Sequence, residues 1–159
     1  MRKELSTQEF QQAVERAMQS RLAGPHRNLP GTDLVPRFVR CDGPSLQLEL
    51  SYETKAWMSN PMHVLHGGMT AVLLDSTMGI LCCSLCGHGT PTISMTVNYT
   101  RPVPLERTVH VRTNMVVFGR TSSQLTAQLF LPEEPERVLA FATGVYSTKA
   151  DAEIHNPPT

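Results

Sequence analysis

Charge is scarce in this sequence: Lys, Arg, Asp and Glu make up 18% of it, and 14 basic side chains balance 14 acidic ones. A nucleic-acid partner calls for a basic patch and a membrane surface for a basic amphipathic stretch, and neither is present. No export leader is expected either. Met1-Arg2-Lys3-Glu4 leads into polar sequence, so the expected location is cytoplasmic. Only four cysteines occur, at 41, 82, 83 and 86. Three crowd into one apolar stretch, which fits reduced thiols better than a disulfide framework. No internal repeat is seen. What remains is 159 residues, 40% of them apolar, enough for one domain with a core.

Ser6-Thr7-Gln8-Glu9 reads as a capping box. Phe10, Ala13, Val14, Ala17, Met18 and Leu22 follow at helical spacing, and Gly24-Pro25 is the stop signal. A loop over 25–33 separates this amphipathic helix from the main domain. A strand is predicted from Leu34 to Cys41, then a turn at Asp42-Gly43 and a second strand with Leu46, Leu48 and Leu50 on one face. Residues 54–65 are irregular. A helix from about Gly67 to Cys86 closes on Gly87-His88-Gly89. Four more strands are predicted at 91–100, 107–118, 122–131 and 137–148. The chain thus divides into a helix and loop (1–33), one domain (34–150) and a tail (151–159).

The densest signal lies between Asn60 and Asp75. Asn60 precedes His66-Gly67-Gly68, and an almost unbroken apolar helix follows, interrupted by Asp75. A helix apolar nearly all round is buried, not laid on a surface. A lone carboxylate inside it is costly unless it is paired or used. A sheet that curls about that helix would bury it, and six strands joined by hairpins suffice.

The combination resembles hotdog-fold acyl-CoA thioesterases of the phenylacetic-acid-degradation (PaaI) type, over roughly residues 34–148. The resemblance implies an α+β hotdog fold, an antiparallel sheet wrapped around one long buried helix, with the N-terminal amphipathic helix as an extra. It implies hydrolysis of an acyl-CoA to the free acid and CoA, by a homodimer or a tetramer of two dimers. Asp75 matches the family's catalytic carboxylate, as base or nucleophile. Gly67 matches the glycine whose N–H polarises the thioester carbonyl. His66 and Asn60 match polar residues lining the reacting centre. Ser94 falls near the family's water-placing hydroxyl, with one extra residue intervening. Many relatives carry glycine where this chain has His63, which is read as bulk narrowing the substrate channel.

The chemistry suits these residues. Negative charge builds on the carbonyl oxygen, and a free N–H at a helix N-terminus is placed to receive it. Nine residues separate His66 from Asp75, half a turn out of phase and about 13 Å along a helix. A site shared across a two-fold interface resolves that mismatch. No cofactor is expected, CoA being part of the substrate, and no metal. His63 and His66 could share one, but the phase of Asp75 spoils the third ligand. Cys83-x-x-Cys86 lies at a helix C-terminus, where thiolates are not stabilised. Met58, Met62, Met69 and Met78 are read as core or channel lining. Arg120 is a candidate for a CoA phosphate, as are Arg101 and Arg107. The rival readings are a non-catalytic hotdog protein that binds acyl-CoA and a hotdog acyl-thioester dehydratase or hydratase.

Overall fold

A computed structural model describes residues 5–22 and 34–150. The Gly24-Pro25 stop, the 25–33 loop and the 151–159 tail lie outside the described residues. Helix α1 spans Thr7–Leu22. Its capping box forms as read: Glu9 N–H donates to Ser6 Oγ at 3.2 Å, and Ser6 N–H donates to Glu9 Oε2 at 3.0 Å. These bonds satisfy donors that a helix start otherwise leaves open. Phe10 and Val14 carry the apolar face and are fully buried. Arg21, in the last turn, donates to Ser76 Oγ at 2.9 Å, which fastens α1 to the central helix.

The strands are β1 Arg37–Asp42, β2 Gln47–Glu53, β3 Thr92–Tyr99, β4 Thr108–Phe118, β5 Ser122–Phe130 and β6 Ala140–Ser147. They form one antiparallel sheet in the order β1-β2-β4-β5-β6-β3. The first strand begins at Arg37 rather than Leu34, because Pro36 has no N–H to donate. Leu46 is not in a strand. It sits in the β1–β2 loop at φ 48°, so the inward face of β2 starts at Leu48. Leu48, Leu50, Val109, Val111, Leu125, Ala127, Leu129, Ala140 and Ala142 point inward and are essentially unexposed.

That face receives α2, Gly67–Cys86. Its last turn is closed as expected: Gly87 takes φ 76° and donates its N–H to Cys83 O at 2.8 Å. Glycine adopts this left-handed cap without a Cβ penalty. Leu73, Leu74, Thr77, Met78 and Leu81 are buried against sheet and α1. The expectation of burial all round is corrected in one respect. Gly68, Val72, Asp75 and Gly79, at helical spacing, form a stripe that the chain's own sheet covers only in part: Gly68 and Val72 are exposed, Val72 by 37%, and Asp75 and Gly79 are half-buried. Alongside runs β3, paired only to β6 and exposed along most of its length.

Among the described residues, the outer face of the sheet carries one buried charge, Glu49. Glu49 on β2 accepts from Arg40 Nε at 3.0 Å, Arg112 Nε at 2.9 Å and His110 Nδ1 at 2.8 Å. Burial works to raise the Glu49 carboxyl, but the bonds from His110, Arg112 and Arg40 outweigh it and hold the group below its usual value.

Candidate functional site

Both halves of the site are set by α2. Its N-terminus is fixed by the preceding loop. Asn60 Oδ1 accepts from Met62 N–H at 2.9 Å and Val64 N–H at 3.3 Å, folding 60–64 into a compact turn. Leu65 N–H donates to Val103 O at 2.9 Å and His66 N–H to Met58 O at 2.8 Å. Met58 and Leu65 are buried beneath this loop, whereas Met62 is 75% exposed and belongs to the surface rather than the core.

His66 is the helix N-cap. Its Nδ1 accepts from Gly68 N–H at 2.9 Å. A neutral imidazole that accepts through Nδ1 carries its proton on Nε2, so His66 presents a donor. The Gly67 N–H donates to no acceptor among the described residues, as expected of a first-turn amide. Two donors at a positive helix end make a candidate oxyanion site. Tyr99, which sequence reasoning missed, borders it. Its OH donates to Gly67 O at 3.0 Å, and its ring passes 3.4 Å from where a Gly67 Cβ would stand.

Asp75 is half-buried, and its Oδ1 accepts two hydroxyls at 2.8 Å each: Thr92 Oγ1 from β3 and the Tyr146 OH from β6. Thr92 stands here in place of Ser94. A register shift between Thr92 and Ser94 pairs Thr92 with Tyr146 and Ser94 with Val145. Since Tyr146 faces α2, the alternation along β6 puts Ser94 on the outer side of the sheet. Burial pushes the Tyr146 phenol above its ordinary value, and the Asp75 charge adds to the rise, so Tyr146 stays a donor. Its signal in the sequence was its inward parity with Ala140, Ala142 and Gly144: a large side chain with a polar tip on a buried face needs a partner there.

The remaining candidates separate. His63 sits on the exposed turn at φ 57°. The left-handed conformation explains why glycine suits this position, so the side chain's bulk is not the whole account. We expect His63→Gly to leave the melting temperature equal or higher, because a non-glycine residue there costs about 1–2 kcal/mol. Relative kcat/KM across acyl groups of different size should change while the best substrate survives. Equal losses on every substrate would assign His63 to the chemistry instead.

Arg107 pairs with Glu133, whereas Arg101 donates to the neutral Val138 O at 3.0 Å and keeps its charge uncompensated by that bond. Arg120 borders a cavity of about 630 Å³ at the far end of α2, with Leu46, Leu85, His88 and Phe118. Among the described residues, no group of three or more His, Cys, Asp or Glu side chains could hold a metal ion. Burial raises the thiol of the neighbouring Cys82 to about 12, and Cys83 Sγ lies 3.1 Å from Thr90 Oγ1.

Residues 62–137, from the 60–64 turn past β5, match the thioesterase superfamily model. A phenylacetic acid degradation-related protein from Ralstonia eutropha JMP134 superposes with a TM-score of 0.71 at 19% identity, over 85% of this chain and 98% of that one. The Escherichia coli PaaI protein from the phenylacetic acid degradation operon gives 0.72 at 15% identity, over 90% and 95%. A Streptococcus mutans UA159 protein bound to acetyl CoA gives 0.63 at 20% identity, over 70% and 86%. At these identities the likeness is one of fold. The chain therefore has the hotdog fold seen in PaaI-type thioesterases, and its segment 62–137 matches the thioesterase superfamily.

Proposed function

We propose that this protein hydrolyses an acyl-CoA thioester to the carboxylic acid and CoA. The observation that carries the reading is the central helix: an N–H at its start and, farther along, one oxygen of an anchored carboxylate, both without a partner among the described residues. The superfamily match supports thioester chemistry. The acetyl CoA held by the S. mutans protein supports CoA esters as the substrate class.

In the base mechanism, Asp75 Oδ2 takes a proton from water as its oxygen adds to the thioester carbonyl. The Gly67 N–H and His66 Nε2–H hold the oxyanion. The tetrahedral intermediate collapses by breaking the C–S bond, and the leaving thiolate takes the proton from Asp75. In the nucleophilic version, Oδ2 attacks the carbonyl, expels the thiolate and leaves an anhydride that water then cleaves. Asn60, whose Nδ2 donates to no acceptor among the described residues, has a donor to offer nearby.

Gly67 and Asp75 are eight residues apart on one helix, about 12 Å in rise. One small reacting centre cannot use both from the same chain. We therefore place the site between two copies, paired through the open β3 edge, with Gly67 of one facing Asp75 of the other. Pairing there would also cover the Val72–Asp75–Gly79 stripe. Arg120 then belongs on the Asp75 chain for a CoA phosphate. The end of α2 that it borders is about 16 Å from Asp75, against about 28 Å from Gly67.

The test is an acyl-CoA panel (aryl, phenylacetyl and medium-chain) read by free thiol release. Release from at least one substrate is expected. Binding without release would favour a non-catalytic acyl-CoA binder, and hydration of crotonyl-CoA a hydratase.

A further inference from the structure

Two glycines sit where their secondary structure gains nothing from them. Gly79 is in the middle of α2 and Gly144 in the middle of β6, positions where glycine weakens a helix or a strand relative to alanine. Both border the ring of Tyr146. A Cβ on Gly144 would stand 2.7 Å from Tyr146 Cε2 and 3.2 Å from Met78 Cε, and one on Gly79 would stand 3.8 Å from Tyr146 Cε1. The latter is only ordinary contact with the ring, whereas the missing Gly144 side chain opens a slot between helix and sheet. The ring fills it, 1% exposed, and the slot delivers its OH to Asp75.

The delivery is asymmetric. Oδ1 accepts both hydroxyls, from Tyr146 and from Thr92. The same Tyr146 OH lies 3.2 Å from the Asp75 backbone oxygen, so it ties side chain and helix together. Oδ2 accepts from no donor among the described residues. A carboxylate free to rotate would offer either oxygen; this one offers a single oxygen in a fixed direction.

We propose that Tyr146 is a positioning residue for the hydrolysis: seated over Gly144, it pins Asp75 Oδ1 so that Oδ2 alone meets the water or the thioester carbonyl. The inference rests on the reading of Asp75 as the reacting carboxylate. Thr92 completes the pin from the neighbouring strand, which makes the edge strand β3 part of the catalytic geometry as well as of the subunit contact.

Tyr146→Phe tests this, since it keeps the ring in its slot and removes one oxygen. We expect kcat on the best acyl-CoA to fall on the order of ten- to a hundredfold, the range for a hydrogen bond to a charged group. KM should stay within about twofold, because ground-state binding does not use the pin. Thr92→Val should lose part of kcat and Thr92→Ser should retain it. A second readout needs no turnover. The infrared carboxylate band that disappears in Asp75→Asn should be displaced in Tyr146→Phe. Wild-type kcat in Tyr146→Phe, or a band that does not move in the folded variant, overturns the proposal. A wild-type protein that hydrolyses nothing, with the band still displaced, contradicts the hydrolase reading and not the pinning of Asp75.

Discussion

Asp75→Asn is expected to lower kcat by on the order of 10² or more while leaving the protein folded and its assembly intact. The amide keeps an oxygen for the Tyr146 and Thr92 hydroxyls, so the local hydrogen bonds survive. What is lost is the basic and nucleophilic oxygen. A structural Asp75 would behave in the opposite way: turnover would persist, and any effect would appear in thermal melting. Steady-state kinetics with circular dichroism and size-exclusion chromatography on the same preparation separates the two. Near-wild-type turnover would end the catalytic assignment.

Gly67→Pro should be comparably severe, for a different reason. Proline removes the single atom group at issue, the backbone N–H, and does so where a helix tolerates it best, the first helical position. His66 already has φ −59° and ψ 136°, the conformation a following proline requires. The nearest neighbours of a Cβ at 67 are the Tyr99 ring and hydroxyl, at 3.4–3.5 Å, about ordinary contact distance. The N–H being removed serves no intramolecular acceptor among the described residues, so stability should hold. Loss of an oxyanion donor typically costs about 10²–10³ in kcat. Gly67→Ala, which keeps the N–H, should retain most activity. If the proline variant is fully active, the oxyanion is held elsewhere, and His66 Nε2 becomes the first residue to examine.

Much of this arrangement was legible in the sequence because it is local. The capping box at Ser6 and Glu9, the left-handed stop at Gly87 and the apolar run of α2 depend on residues within a few positions of one another. The hairpin strands follow from alternation. Three features were not legible, each because it depends on distant partners or on backbone detail. The irregularity after Thr92 shifts the strand by one residue, so the hydroxyl on Asp75 is Thr92 and not Ser94. The role of Tyr146 comes from a contact 71 residues distant in sequence. At His63 the sequence shows a side chain but not the positive φ on which it is carried. The partly covered stripe on α2 is a fourth case. Apolar composition correctly demanded burial, but one chain's sheet supplies only part of it.

The stripe, the open β3 edge and the spacing of Gly67 from Asp75 all lead to one claim: each active site takes its oxyanion donor from one chain and its carboxylate from another. Subunit mixing tests it most directly. Asp75→Asn and Gly67→Pro chains, each inactive alone, are dissociated, combined in equal amounts and reassembled. In a heterodimer one site joins an intact Gly67 to an intact Asp75, and the other joins both substitutions. Random pairing then predicts recovery of about a quarter of wild-type activity, since half the dimers are mixed and each has one whole site of two. Recovery near that level would establish the shared site. Mixtures that exchange subunits yet stay inactive, or a wild-type monomer with full activity, would contradict it.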